Sequence, residues 1–208
     1  MRGKSISVRG GKERAEGKVN LRVGKLPVPV YISAEGPRAL RVAGRVADGA
    51  ILGTGFDLEV LAWARERIAE GACEAGRDPA EIDIMPAGMI CVDDDGARAR
   101  SLVRTRLANR AHHNFRFTLE TVPADEVSNV KRFMAAFDIS KPLEERIDSD
   151  LITDYLIRRF TIAGTPKECV ERVCALAQVG VKRLLLTPPE AIYLQVVETW
   201  GQKIIPRL

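Results

Sequence analysis

The chain has 208 residues, 46% of them hydrophobic and 29% charged, with a formal net charge of +4. That balance describes an ordinary globular domain and excludes a disordered chain, a collagen-like fibre and a membrane bundle, since no stretch approaches the ~20 consecutive apolar residues of a span. Lys4, Arg9, Lys12 and Arg14 leave no apolar run for a signal peptide, so a cytoplasmic protein with no membrane partner is expected.

The charge is unevenly placed. Residues 1–27 hold eight Lys or Arg against Glu13 and Glu16, leaving 24 of the 32 basic and 26 of the 28 acidic residues for the remainder. This stretch has no aromatic residue to stack on bases. Residues 1–26 are therefore expected to be a solvated basic arm, and no nucleic-acid partner is expected. The four cysteines, Cys73, Cys91, Cys169 and Cys174, form no C-x-x-C pair, and three of them sit inside apolar patterns, where a cysteine reads as a small hydrophobe of a packed core.

In chain order, short extended pieces are expected near Ile6–Val8 and Val19–Val23. Val28 to Ser33 is a β-branched run that reads as a buried strand, running into the turn Ala34-Glu35-Gly36-Pro37. Pro37 suits the first turn of a helix, which carries Leu40, Ala43 and Val46 at helical spacing. Ala50 to Leu52 is a second strand, closed by Gly53-Thr54-Gly55. Asp57 can cap the next helix, and Gly76 ends it. Ile82 to Val92 is a third strand, bent by Pro86 and Gly88, followed by Asp93-Asp94-Asp95 and a long basic helix with Arg98, Arg100, Arg104, Arg106 and Arg110. Residues 108–160 break the rhythm and read as a helical insertion, with helical stretches over Pro123–Phe137 and Pro142–Phe160. Thr165-Pro166-Lys167-Glu168 is a capping box, Gly180 ends its helix, Lys182 to Thr187 is a fourth strand, and Ile192 to Ile205 a last helix. The alternation indicates a parallel α/β architecture, doubly wound or barrel-like, and the capping box is expected on the face of such a barrel that serves stability.

Candidate chemistry is sparse. In Ser33-Ala34-Glu35-Gly36-Pro37, Gly36 lets a ligand approach backbone, in a conformation that can require positive φ, and the helix start offers free N–H groups to a phosphate; an ordinary tight turn is the other reading. Gly53-Thr54-Gly55 lacks the third glycine of a dinucleotide fingerprint but can admit a cofactor ring or phosphate. His112 and His113 point about 100° apart on a helix and read as structural or surface residues rather than as a metal pair. The arginines of residues 98–110 read as a solvated helix face, with a contact to a phosphate or to the tail of a cofactor as the other reading. No G-x-S-x-G or Walker A sequence is present.

The segment from Pro29-Val-Tyr-Ile-Ser-Ala-Glu-Gly-Pro-Arg through Ala47-Asp-Gly-Ala-Ile-Leu52 resembles the luciferase-like family of flavin- and deazaflavin-dependent oxidoreductases. Gly76-Arg-Asp-Pro79, Ile162-Ala-Gly-Thr-Pro-Lys-Glu168, Ala177-Gln-Val-Gly180 and Arg183-Leu-Leu-Leu186 match in the same order, over about residues 27–207. Within the family the chain is similar to methylenetetrahydromethanopterin reductase-like members. The resemblance implies a TIM-type (β/α) barrel of which only strands five to eight are present, spanning 27–208 with the insertion 108–160. It implies that Ala34, Glu35 and Gly36, with Gly53, Thr54 and Gly55, approach the cofactor, coenzyme F420 (8-hydroxy-5-deazaflavin) in preference to FMN; no metal is implied. Phe56 stands where sugar-phosphate dehydrogenase members place a lysine, which argues against that substrate. The expected activity is hydride transfer between the deazaflavin or flavin and a small organic or pterin substrate, by an incomplete chain. The alternative is a non-catalytic cofactor-binding or assembly module. Either way, pairing with a copy or with a complementary N-terminal half is expected, because open sheet edges are normally covered.

Overall fold

A computed structural model describes residues 28–208 and, of the N-terminal stretch, the backbone of two strands. These are β1 (Ser5–Gly10) and β2 (Glu13–Lys18), paired antiparallel with Gly10 opposite Glu13. The expected extended piece at Val19–Val23 and the solvated character of the arm lie outside the described residues.

From Tyr31 onward, strand and helix alternate: β3 (Tyr31–Ala34), α1 (Pro37–Val46), β4 (Gly49–Leu52), α2 (Leu58–Glu74), β5 (Asp83–Val92) and α3 (Gly96–Thr118). Then come α4 (Val127–Ala136), α5 (Asp154–Phe160), β6 (Thr161–Gly164), α6 (Pro166–Gln178), β7 (Leu185–Thr187) and α7 (Tyr193–Thr199), which continues as a π-helical turn over Trp200–Ile204. The five strands from β3 to β7 form one parallel sheet, in the order β3-β4-β5-β6 with β7 also on β5. Among the described residues, β3, β6 and β7 each pair along one edge only.

Local chemistry accounts for the element ends. Asp57 Oδ1 accepts the N–H groups of Glu59 (3.0 Å) and Val60 (3.2 Å), Asp95 caps α3 in the same way, and Thr165 with Glu168 forms the reciprocal capping box of α6. Pro86, which has no N–H to give, sits where β5 changes partners: Leu52–Pro86 is the last rung with β4 and Ala87–Leu185 the first with β7. Met89 then pairs with both Thr161 and Thr187, so β6 and β7 flank it.

Ala34, Ala50 and Leu52 are buried against the helices. Cys91 and Cys169 are buried too, and desolvation pushes their thiols up to about 11 and about 12, which keeps them protonated and inert.

Three expectations are corrected. β6 was not anticipated, and of the helical stretch over Pro142–Phe160 only Asp154–Phe160 is α-helix, preceded by two short 3-10 turns. The basic helix that carries Arg98 to Arg110 extends to Thr118. Because α6 follows β6 in a parallel sheet, the capping box lies at the C-terminal end of the strands, the opposite end from the one expected. Among the described residues, no helix is long and apolar enough to cross a membrane.

Candidate functional site

The C-terminal ends of β3 and β4 meet the last turns of α3. Side chains alternate along β3, so Ala34 turns into the core, 1% exposed, while Ser33 and Glu35 face the other side and line a cavity. The Glu35 carboxylate accepts from Arg110 at 2.8 Å and from the Asn114 side-chain amide at 3.2 Å, with His113 Nε2 3.9 Å away. The pair is possible because residue 53 is glycine. A Cβ there would fall on the Glu35 carboxylate and stand 2.6 Å from the Arg110 guanidinium.

Gly36 opens α1 without a side-chain cap, and its backbone is extended (φ −88, ψ 162) rather than left-handed. The residue before a proline is held extended in any case, so here the glycine supplies space, not conformational freedom: an added Cβ would lie 3.1 Å from Phe117 Cβ. The other loop glycine, Gly55, does need its conformation (φ +93), and its missing side chain makes room for the Arg159 carbonyl. That carbonyl accepts the Phe56 N–H at 2.6 Å.

Two cavities adjoin at His113. One, about 610 Å³, is lined by Ser33, Glu35, Gly36, Arg38 and Phe117, among others; the second, about 490 Å³, by Met89 and Thr187 on the strands and Arg106, Asn109 and Arg110 on α3. His113 lines both and its side chain is 56% exposed. His112 faces away and stacks on Phe137, with ring centroids 4.1 Å apart. Below the cavities lies Arg159, fully buried against Phe115 and Phe160; burial lowers its pKa, which the Tyr155 hydroxyl partly offsets.

Of the residues singled out in the sequence, Glu35 and Gly36 therefore line the first cavity, and Gly53 touches Glu35 from beneath. Ala34, Thr54 and Gly55 are covered by protein, and the buried Thr54 hydroxyl makes no hydrogen bond among the described residues. Sequence reasoning did not place His113, Asn114 and Arg159 at the site, and offered Arg110 only as one of a series of arginines with a cofactor contact as its second reading. A signal existed for α3: positions 106, 109, 110, 113 and 117 recur at i+3, i+4, i+7 and i+11, one face of a helix.

The profile of the luciferase-like monooxygenase family matches residues 1–183. The chain belongs to this family. It is 32% identical over 164 residues to the 5,10-methylenetetrahydromethanopterin reductase of Methanolobus tindarius, covering 78% of this chain and 48% of that protein. It is 30% identical over 185 residues to the F420-dependent glucose-6-phosphate dehydrogenase of Beutenbergia cavernae, covering 88% and 49%. The luciferase-like chain thus spans about half the length of the curated relatives it matches. Among solved structures, the coenzyme F420 dependent tetrahydromethanopterin reductase of Methanopyrus kandleri superposes with a TM-score of 0.60 at 25% identity, over 86% of this chain and 50% of that one. An F420-dependent secondary alcohol dehydrogenase in complex with an F420-acetone adduct shares the fold, with a TM-score of 0.66 at 17% identity, over 98% and 56%.

Proposed function

We propose that this luciferase-like chain is the cofactor-holding, C-terminal part of an oxidoreductase that uses coenzyme F420 and a small organic or pterin substrate. The observation that carries the reading is the open cavity at the end of β3, where a neutralised carboxylate, an uncapped helix start and an arginine face one space. The residues fit an anionic deazaflavin. The first-turn amides of α1 at Arg38 and Ala39 have no partner in their own helix, and with the Arg38 side chain they suit a phosphate-bearing chain. Phe117 and Pro37 give an apolar wall for a flat ring, and Gly36 leaves the backbone accessible beside them.

When bound, the deazaflavin supplies the hydride chemistry; the protein's part is binding and orientation. Arg110 and Asn114 hold Glu35 in one place and balance its charge, so that it orients a ligand without repelling a phosphate elsewhere in the cavity. His113, between the two cavities, faces cofactor and substrate spaces alike. Gly53, Thr54 and Gly55 act from below by letting Glu35, Arg110 and Arg159 pack close. Among the described residues β3, β6 and β7 each pair along one edge only, and Leu185 on β7 is 45% exposed, which favours a part-barrel that further strands complete, from elsewhere in a longer chain or from a second copy; the basic arm and the insertion 108–160 then belong to the same half.

Fluorescence titration with coenzyme F420 and with FMN tests the reading. F420 should bind at tens of micromolar or tighter, and FMN more weakly. Failure of both to bind at that concentration overturns it.

A further inference from the structure

Arg159 heads the fully buried side chains by volume. Its guanidinium donates only to neutral oxygens: Thr54 C=O (3.4 Å), Tyr155 Oη (2.7 Å), Asn114 Oδ1 (3.2 Å), Thr118 Oγ1 (3.1 Å) and Thr121 Oγ1 (2.9 Å). Among the described residues no carboxylate lies within ion-pair distance of it. A buried cation with no directly paired counter-ion, felt only at a distance by Asp57, is costly to keep, and simple packing against Phe115 and Phe160 would be served by an apolar side chain.

The polarity of the contacts shows what the arginine does instead. A guanidinium has donors and no acceptor. Asn114, itself fully buried, must therefore turn its oxygen toward Arg159, where the Thr118 hydroxyl also donates to it at 2.7 Å. Its NH2 is then forced to the opposite side, where it meets two groups that only accept, the Glu35 carboxylate (3.2 Å) and the Gly53 carbonyl (3.4 Å). Left alone, an asparagine amide can flip; with a pure donor on one side and pure acceptors on the other, it has one orientation.

We propose that Arg159 is a positioning residue: from the end of α5 it fixes the side-chain orientation of Asn114, and through Asn114 it holds Glu35 and the loop after β4 at the mouth of the cavity. The segment between α3 and β6, which contributes α5, is thereby wired to the site. The ligand arm of the test rests on the F420 reading above; the amide arm does not.

The test compares Arg159→Met, Asn114→Ala, the double variant and Asn114→Asp. Arg159→Met keeps the length and apolar contact while removing every donor. Hydrogen exchange of the Asn114 side-chain amide, followed by NMR on asparagine-labelled protein, should accelerate about tenfold or more in Arg159→Met, once the amide is free to turn. F420 affinity, read on the folded fraction, should fall about tenfold in each single variant, and the double variant should be no worse than about threefold below the weaker single one. Two independent losses that multiply, with Asn114 exchange unchanged, overturn the proposal.

Should Arg159→Met fail to fold, Asn114→Asp decides. It gives Arg159 a carboxylate partner but sets an acceptor against the Glu35 carboxylate where the amide donated, so affinity, read on the folded fraction, should drop about tenfold. Affinity equal to the parent's overturns the proposal. If the parent binds neither F420 nor FMN, the functional reading fails and the amide exchange alone decides the role of Arg159.

Discussion

Replacing Gly36 by valine separates a ligand-facing turn from a structural corner. The backbone there is already extended at φ −88 and ψ 162, a conformation that β-branched residues favour and that Pro37 imposes on any residue before it. Valine therefore brings little backbone strain. Its first carbon would stand 3.1 Å from Phe117 Cβ, tight by a few tenths of an ångström, and because that Cβ is carried by the backbone of α3, the turn and the helix must part slightly to admit it. The stability cost should be ~1 kcal/mol. The remaining side-chain atoms go into the cavity beside Glu35 and Arg38, where a bound ring or phosphate would lie. Affinity for F420 should fall at least about tenfold, ~1.4 kcal/mol. Gly180→Val is the reciprocal control. Its φ of +81 penalises any branched side chain, while its surroundings are open, with nothing nearer than the Arg65 guanidinium at 3.7 Å. That variant should lose ~1–2 kcal/mol or more of stability and keep the affinity of its folded fraction. The two are compared by fluorescence titration and thermal melting. Parent-like binding by Gly36→Val, with lost binding by Gly180→Val, would refute the placement of the cofactor at the end of β3.

Thr165→Ala removes the oxygen that accepts the Glu168 N–H at 3.3 Å; it should cost ~1 kcal/mol, read as a lower melting temperature, with F420 affinity unchanged because neither capping residue lines either cavity at the site. Asp83 titrates low: burial pushes its carboxyl up, but the Tyr31 hydroxyl at 2.6 Å and the Arg183 guanidinium outweigh it. A depressed folded pKa means that the unfolded chain binds its proton first, so this contribution is present above the ordinary value of about 3.9 and is lost as pH falls below it. Melting temperature should fall through that window in the parent, and Asp83→Asn should flatten that part of the acid limb.

Much of the fold was legible because its punctuation is local. Asp57, Gly76 and the Thr165–Glu168 box each act within a few residues of themselves, so their chemistry appears in the sequence as it does in the structure. β6 was not legible for the opposite reason. Phe160 ends a helix and Thr161 starts a strand with no glycine, proline or turn between them, and the four strand residues are held by rungs to Met89–Val92, some seventy positions away. Missing it inverted the reading of the helix that follows, since the end of the sheet at which α6 starts depends on whether a strand precedes it.

The candidate site divides along the same line. The turn at Glu35 and Gly36 is written in consecutive residues, whereas the groups that hold it come from α3 and α5. A stripe at 106, 109, 110, 113 and 117 states that these residues share a face, but a helix carries arginines on several faces here, and only the packing of α3 over β5 and β6 selects this one as the face toward the strand ends. The glycines make the same point more sharply. As sequence, Gly53-Thr54-Gly55 invites a ligand to approach the backbone; in the structure the space left by Gly53 is taken by Glu35 and Arg110, and that left by Gly55 by the Arg159 carbonyl. A missing side chain marks a close approach, and what approaches is decided by residues far away in the chain. Of the three turn glycines, Gly36 is the one whose free side opens to a cavity, which is why the substitution there, and not in the second loop, bears on cofactor binding.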